Sequence, residues 1–221
     1  FTQDGTVRAI SVLRGHAKRA RYFNCDKMEV FATAVIRNAS NCEEAVIAIE
    51  EGAELPISLL SATDEAHLGF VGATCDRAVE RGTLVDIGGG STELVLGSTS
   101  VKQAISIDMG AVRVTEKFFA RVDPSGGVPA EDQARAIAWI DEQLDGAEKA
   151  VDLARVHSLV GVAGTVTTLT AQALGLTSYQ PERIHGARLS ADRIEEAVRF
   201  MVDQPVSVKA SLGFMPEGRE D

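Results

Sequence analysis

Thr83-Leu84-Val85-Asp86-Ile87-Gly88-Gly89-Gly90-Ser91-Thr92-Glu93-Leu94-Val95-Leu96-Gly97 sets two short apolar runs around three consecutive glycines, with an acid before them and Ser-Thr-Glu after. The pattern predicts a β-hairpin. Leu84, Val85 and Ile87 suit a buried strand, Leu94 to Leu96 suit its partner, and Gly88 to Gly90 can turn at positive φ without a Cβ penalty. Such a bend presents a row of backbone N–H groups, and the missing side chains let an anion approach the main chain closely. Ser91 and Thr92 add hydroxyl donors. Asp86 would repel a bare phosphate, but it suits a hard divalent cation such as Mg²⁺ or a water held beside it. A plain hairpin turn needs one or two glycines, not three flanked by Asp, Ser, Thr and Glu.

Two commoner phosphate loops are excluded. No Lys follows the glycines, so this is not a P-loop, and the spacing does not give G-x-G-x-x-G opening a helix. The octet Asp86-Ile87-Gly88-Gly89-Gly90-Ser91-Thr92-Glu93 resembles the second phosphate loop of the exopolyphosphatase/guanosine pentaphosphate phosphatase family. That resemblance implies an α/β, two-lobed, ribonuclease-H-like fold of the actin, Hsp70 and sugar-kinase group.

The totals set outer limits. At 221 residues, 45% hydrophobic and 24% charged, the composition is that of a globular protein with one large or two small domains. Cys25, Cys42 and Cys75 are widely separated and contain no C-x-x-C, which argues against a disulfide framework or zinc site and fits a reducing cytoplasm. A net charge of −10 argues against general nucleic-acid or membrane-surface binding. Attraction of a polyanion must therefore be local. In the first segment, Thr2 to Tyr22, Val7, Ile10, Leu13 and Ala17 keep a helical period and Arg8, Arg14, Lys18, Arg19 and Arg21 are set against the single acid Asp4, a cluster that reads either as a solvated helix face or as the track of a phosphate polymer.

Met28 to Ile36 reads as a strand, and Ser40 with Glu43 as a capping box opening a helix through Val46 and Ile49 to Gly52. Ala32 to Asn41 resembles the family's Ala-Thr-Ser-Ala-x-Arg-x-Ala-x-Asn segment. Arg37 would sit where strand gives way to helix, a planar fork able to bind phosphate bidentately. Leu55 to Leu60 is a second short apolar run. After it, Asp64 and Glu65 suit the first turn of a helix whose inner side is Leu68, Val71 and Cys75. The family has Ser-Gly-x-Glu-Glu-Ala at this place, and the resemblance implies that Glu65 is the catalytic base. Ala62 and Asp64 depart from that pattern; Glu65 does not.

Ala104 to Asp108 predicts a strand. Met109 to Glu116 resembles the family's Gly-Ala-Val-Arg-Leu-Thr-Glu stretch, with Gly110 at a sharp turn into a helix through Phe118 and Phe119 and its backbone toward ligand. Ile137, Ile140, Leu144 and Val151 mark one side of a long amphipathic helix. His157 to Val162 is an apolar strand running into Gly161-Val162-Ala163-Gly164-Thr165 and a further helix. Free N–H groups at such a start form an anion site by geometry, or else the glycines serve close strand–helix packing. Ser190 caps a last helix whose inner side is Ile194, Val198 and Met201.

The expected organisation is thus part of a first ribonuclease-H-like lobe over 1–82 and a second lobe over 83–221, with a phosphate chain in the cleft between them. The family's first phosphate loop, an Asp-x-Gly-Ser-Asn-Ser hairpin, has no counterpart in the sequence, so the resemblance implies a fold cut short at both ends. The expected reaction is phosphoanhydride hydrolysis. Mg²⁺ sits at Asp86. Arg37, Gly88, Gly89, Gly90, Ser91, Thr92, Gly110, Gly164 and Thr165 hold phosphate, Glu65 serves as base, and Glu93 positions water or metal. Inorganic polyphosphate is the first substrate expected and guanosine pentaphosphate the second. A kinase or ATPase of the same fold group and a non-catalytic sensor of a phosphorylated nucleotide are the alternatives, and oligomeric state, a homodimer included, stays open.

Overall fold

The computed structural model describes residues 1–75, 82–156 and 158–220. Its contacts divide into two compact units, Phe1–Leu68 and Gly69–Asp221.

In the first unit, α1 (Gln3–Tyr22) starts at Thr2, whose hydroxyl accepts from the Gly5 N–H at 3.1 Å, with Asp4 in the first turn and Arg19 and Arg21 in the last, where each charge suits the helix dipole. It packs on α3 (Cys42–Ala53). The approach is close because a Cβ on Gly52 would run into the Ile10 side chain. Around these lie β1 (Phe31–Ala32), α2 (Ala34–Arg37) and β2 (Ser58–Leu59), which is parallel to β1. The strand expected over Met28–Ile36 is therefore cut to two residues, and Val35 and Ile36 belong to α2. The expected capping box is also absent. Asn41, not Ser40, is the N-cap of α3 and makes no side-chain cap bond; its side-chain amide instead donates to the Phe1 carbonyl at 2.9 Å. A long-range tie has displaced the local one.

The division between the units falls inside α4 (Ala62–Thr74). The second unit is built on a four-stranded sheet of order β5-β4-β3-β6, comprising β3 (Gly82–Ile87), β4 (Thr92–Gly97), β5 (Val101–Ile107) and β6 (Ser158–Val162). β3, β4 and β5 form an antiparallel meander, and β6 runs parallel to β3. The expected central hairpin is present with Ile87 opposite Thr92 and Asp86 opposite Glu93. Its strands are buried on both faces: Thr83, Leu84, Leu94 and Val95 are all less than 4% exposed. This is the pattern of a sheet covered by helices.

Beyond the sheet come α5 (Ala111–Val114), a π-helical turn (Thr115–Phe119), α6 (Ala130–Glu148), α7 (Ala163–Ala173), α8 (Pro181–Ile184), α9 (Ala191–Asp203) and α10 (Val206–Ala210). Trp139, Ile140, Leu144 and Ala147 of α6 pack with Val85, Leu94, Ile105, Ile107 and Met109 in one core. Ala171, Leu176, Ile184 and Phe214 form another under α7. Ser190 caps α9 as expected, its hydroxyl accepting from the Arg193 N–H. Of the strand expected from His157, the first residue lies outside the described residues and the rest is β6.

The expected inner sides hold in part: Ala17 on α1 and Val151 after α6 are buried, Ile140 and Leu144 pack in the first core and Met201 against the second, while other members of the same stripes, and the whole of the one expected on α4, lie outside. Val7, Leu68, Val71, Ile137, Ile194 and Val198 are exposed large hydrophobics, and Cys75 is exposed as well. The fully buried positions on these helices are Ala17 on α1, which belongs to the expected stripe, and Ala66 and Phe70 on α4, Ala136 and Ala147 on α6, and Ala197 on α9, which were not singled out.

Candidate functional site

The glycine loop spans residues 88–91 between β3 and β4. None of its glycines is among those at positive φ, so the expectation of a left-handed turn is corrected. Their smallness is needed for room. A Cβ on Gly88 would lie 3.2 Å from the Ser91 carbonyl oxygen, and one on Gly89 would lie 3.2 Å from Cγ2 of Val112.

The loop is held from one side by the segment after β5. The N–H of Ala111 donates to Gly88 O at 2.9 Å, and the N–H groups of Val112 and Arg113 donate to Gly89 O at 3.0 and 3.3 Å. Nε of Arg113 donates to Gly90 O at 2.6 Å. Gly110 permits this approach, because a Cβ there would collide with Gly89 O and come within 2.7 Å of Gly90 N. Thr92 adds a tie, its hydroxyl donating to the buried carbonyl of Met109. All three glycine carbonyls are thus engaged, while only Gly88 spends its N–H inside the loop, on Ser91 O at 3.0 Å. Among the described residues, the N–H groups of Gly89, Gly90 and Ser91 meet no acceptor. A backbone so arranged offers donors on one face and no competing carbonyl, which is what an anion requires.

Beside the loop a polar row crosses the sheet. Asp86 pairs with Glu93 and Glu93 with Ser106, so the three side chains share one face. Glu93 is 4% exposed and its Oε1 accepts from the Ser106 hydroxyl at 2.6 Å. The Asp86 carboxylate reaches toward Gly69 of α4, where an added Cβ would lie 3.9 Å from Oδ2. Two carboxylates directly opposite each other in a ladder repel. An all-oxygen pair of this kind suits Mg²⁺, which keeps several waters and takes one or two carboxylates along with substrate phosphates. Among the described residues no group of three or more His, Cys, Asp or Glu could hold a metal ion by itself.

In the first unit the structure brings together two residues singled out from the sequence. Nη1 of Arg37 donates to Oε2 of Glu65 and to the Leu60 carbonyl, each at 2.8 Å, and both side chains are more than four-fifths buried. Among the described residues the pair leaves Oε1 of Glu65 without a donor, and Nε and Nη2 of Arg37 without an acceptor. Ser61 caps the start of α4, accepting from the Asp64 N–H at 3.1 Å and donating to its carboxylate at 2.7 Å. That turn fixes where Glu65 leaves the helix.

The turn at 161–165 is built differently. Ala163 opens α7 with φ of 70°, a left-handed conformation that costs an alanine energy. Val166 fills the space over Gly161, and the guanidinium of Arg219 lies directly over Gly164. A cation thus sits on the positive end of a helix. Arg219, Arg113 and Ser106 were missed by sequence reasoning. Arg113 stands in the stretch that resembles the family's Gly-Ala-Val-Arg-Leu-Thr-Glu motif, where only Gly110 was given a role, Ser106 stands in a stretch read as strand, and Arg219 is brought to Gly164 by tertiary folding.

The family model of the Ppx/GppA phosphatase family matches residues 1–221, and the chain belongs to that family, whose members are hydrolases. It shares 31% identity with exopolyphosphatase 2 of Mycobacterium tuberculosis (strain ATCC 25618 / H37Rv), over 100% of this chain and 70% of that protein. Among solved structures, an exopolyphosphatase-like protein superposes with a TM-score of 0.90 at 32% identity, covering 100% of this chain and 70% of the other. The Aquifex aeolicus family member gives 0.77 at 27% identity, covering 99% and 69%. The α/β, actin-like ATPase fold expected from the glycine octet is the one the chain adopts. Among the described residues no helix is long and apolar enough to cross a membrane.

Proposed function

We propose that the protein hydrolyses the terminal phosphoanhydride bond of inorganic polyphosphate and releases orthophosphate. The observation that carries this reading is the one-sided glycine loop. Among the described residues the N–H groups of Gly89, Gly90 and Ser91 meet no acceptor, while the carbonyls of Gly88, Gly89 and Gly90 are tied away. The 31% identity to a protein named exopolyphosphatase 2 favours an unbranched phosphate chain over a phosphorylated nucleotide.

In this reading the loop N–H groups hold the oxygens of the terminal phosphoryl group and neutralise charge as it moves toward the leaving oxygen, while Thr92, whose hydroxyl is given to the Met109 carbonyl, supports the loop. The oxygen of a water attacks phosphorus in line with the bridging P–O bond, and Glu65 takes the water's proton. The bridge breaks, and the shortened chain departs with the electron pair on its oxygen. Arg37 orients the Glu65 carboxylate and keeps half of its own fork for phosphate. Gly110 supports the loop from behind. Gly164 and Thr165 provide a further phosphate contact, and Asp86 and Glu93 would hold Mg²⁺, which when bound screens phosphate charge.

The test is phosphate release from long-chain polyphosphate with Mg²⁺ by the full-length protein and by its Glu65→Gln variant. Glutamine keeps the size but cannot accept the proton. The expected loss in kcat is about 10² to 10⁴-fold with binding retained. Release from guanosine pentaphosphate but not from polyphosphate would reassign the substrate, and activity unchanged in the variant would remove Glu65 from the base role.

A further inference from the structure

We propose that Arg113 is a positioning residue for phosphate binding, turning the donor face of the glycine loop toward the substrate from behind. The inference rests on the reading of residues 88–91 as a phosphate cradle and concerns how that cradle acquires its polarity. A peptide unit carries its N–H and C=O on opposite sides, so whatever fixes the carbonyl of one residue aims the N–H of the next. Gly90 O determines the direction of the Ser91 N–H, and Gly89 O that of the Gly90 N–H. Arg113 holds both. Its backbone N–H donates to Gly89 O at 3.3 Å and its Nε to Gly90 O at 2.6 Å.

The first of these bonds survives any substitution, since it comes from the main chain. The second belongs to the side chain. The guanidinium is also braced from Asp108, whose Oδ1 lies 3.6 Å from Nη2. Three glycines in succession have no side chains to hold them and would sample many conformations unaided. The Gly90 peptide is the one unit of the loop whose carbonyl has no backbone donor among the described residues, so it depends on Arg113. The contacts of the guanidinium are with the Gly90 carbonyl and with Asp108, and the proposal therefore has Arg113 act through the loop.

An open pocket of about 300 Å³ lies beside it, lined by Asp108, Arg113, Glu116, Lys117 and Trp139. Lys117 is already placed, its Nζ 4.2 Å from the centre of the Trp139 ring. The pocket is large enough to admit a small cation where the Arg113 side chain is removed, and this supplies a rescue experiment.

The experiment compares the full-length protein with its Arg113→Ala and Arg113→Lys variants. It reads equilibrium binding of tripolyphosphate, kcat and KM for polyphosphate, and melting temperature. Loss of one charge-assisted bond predicts a Kd and KM raised about tenfold in Arg113→Ala, with kcat within about threefold of the parent. Arg113→Lys, with one donor able to reach Gly90 O, is expected to lie in between. Guanidinium ion at non-denaturing concentration is expected to restore much of the binding in Arg113→Ala and none in the parent. Unchanged Kd in Arg113→Ala overturns the proposal, as does a loss that tracks a fall in melting temperature and ignores guanidinium. A parent that binds tripolyphosphate without hydrolysing it removes the proposed function and leaves Arg113 to be judged by its Kd. A parent that hydrolyses polyphosphate, with Kd unmoved by the substitution, removes only Arg113. A parent that binds no phosphate compound overturns both.

Discussion

Two turns of the second unit carry nearly the same sequence signature, a buried strand running into glycine and hydroxyl residues, and the fold resolves them in opposite ways. At 88–91 the loop is clamped through its carbonyls and its N–H groups are left open. At 161–165 the chain passes straight into α7 through a left-handed Ala163, and a guanidinium covers Gly164. In the first, glycine makes room for another stretch of backbone. In the second, the space over the glycines is taken by Val166 and Arg219 side chains. Glycines after a strand therefore signal a close approach, and what approaches decides whether the turn can serve an anion directly.

The largest effect should come from closing the space behind the first turn. Gly110→Ala puts a methyl into Gly89 O, an overpacking that costs about 1–3 kcal/mol of stability and pushes the loop from its brace. With two loop donors misaimed, tripolyphosphate binding should fall about a hundredfold, measured by calorimetry on protein shown to be folded. Normal binding in a stable Gly110→Ala variant would mean that the loop's polarity does not depend on the residues behind it.

A smaller effect is expected at the second turn. Arg219→Ala removes a cation that a helix N-terminus repels, so the melting temperature should hold or rise slightly. Binding of tripolyphosphate should weaken about fivefold if that guanidinium helps Gly164 and Thr165 hold phosphate. Tighter binding would instead identify Arg219 as a plug. The smallest effect concerns strain. Ala163→Gly relieves a left-handed alanine and should stabilise the protein by about 1 kcal/mol, offset in part by the greater freedom of glycine in the unfolded chain. A thermal melt decides the sign, and a clear loss of stability would show that the Ala163 methyl contributes packing.

Outside these turns, a half-buried pair sets a further scale. Arg37→Ala leaves Glu65 and the Leu60 carbonyl without their donor and should cost about 2 kcal/mol, read from denaturant unfolding.

The central hairpin was legible because its signal is local. Apolar runs bracket a glycine triplet, and the ladder pairing Ile87 with Thr92 follows from that symmetry. The helices were legible as helices for the same reason. Their inner faces were legible only in part. Ala17, Ile140, Leu144, Val151 and Met201 face inward as expected, whereas Val7, Leu68, Val71, Ile137, Ile194 and Val198 keep a helical period yet lie exposed. Capping at Ser40 failed, since Asn41 is tied to Phe1, forty residues away in the chain. Such ties leave no periodic trace.

By itself the sequence determined the family, the strand–glycine–strand element, and the residue types able to meet phosphate, because each is written in adjacent residues whose spacing carries the chemistry. Tertiary structure alone decided which way the loop's donors face, that Arg113 and Gly110 stand behind it, that Ser106 completes a polar row with Asp86 and Glu93, and that Arg219 lies over Gly164. The physical reason is that a peptide's polarity is set by what binds its carbonyl, and here those partners come from segments distant in the chain.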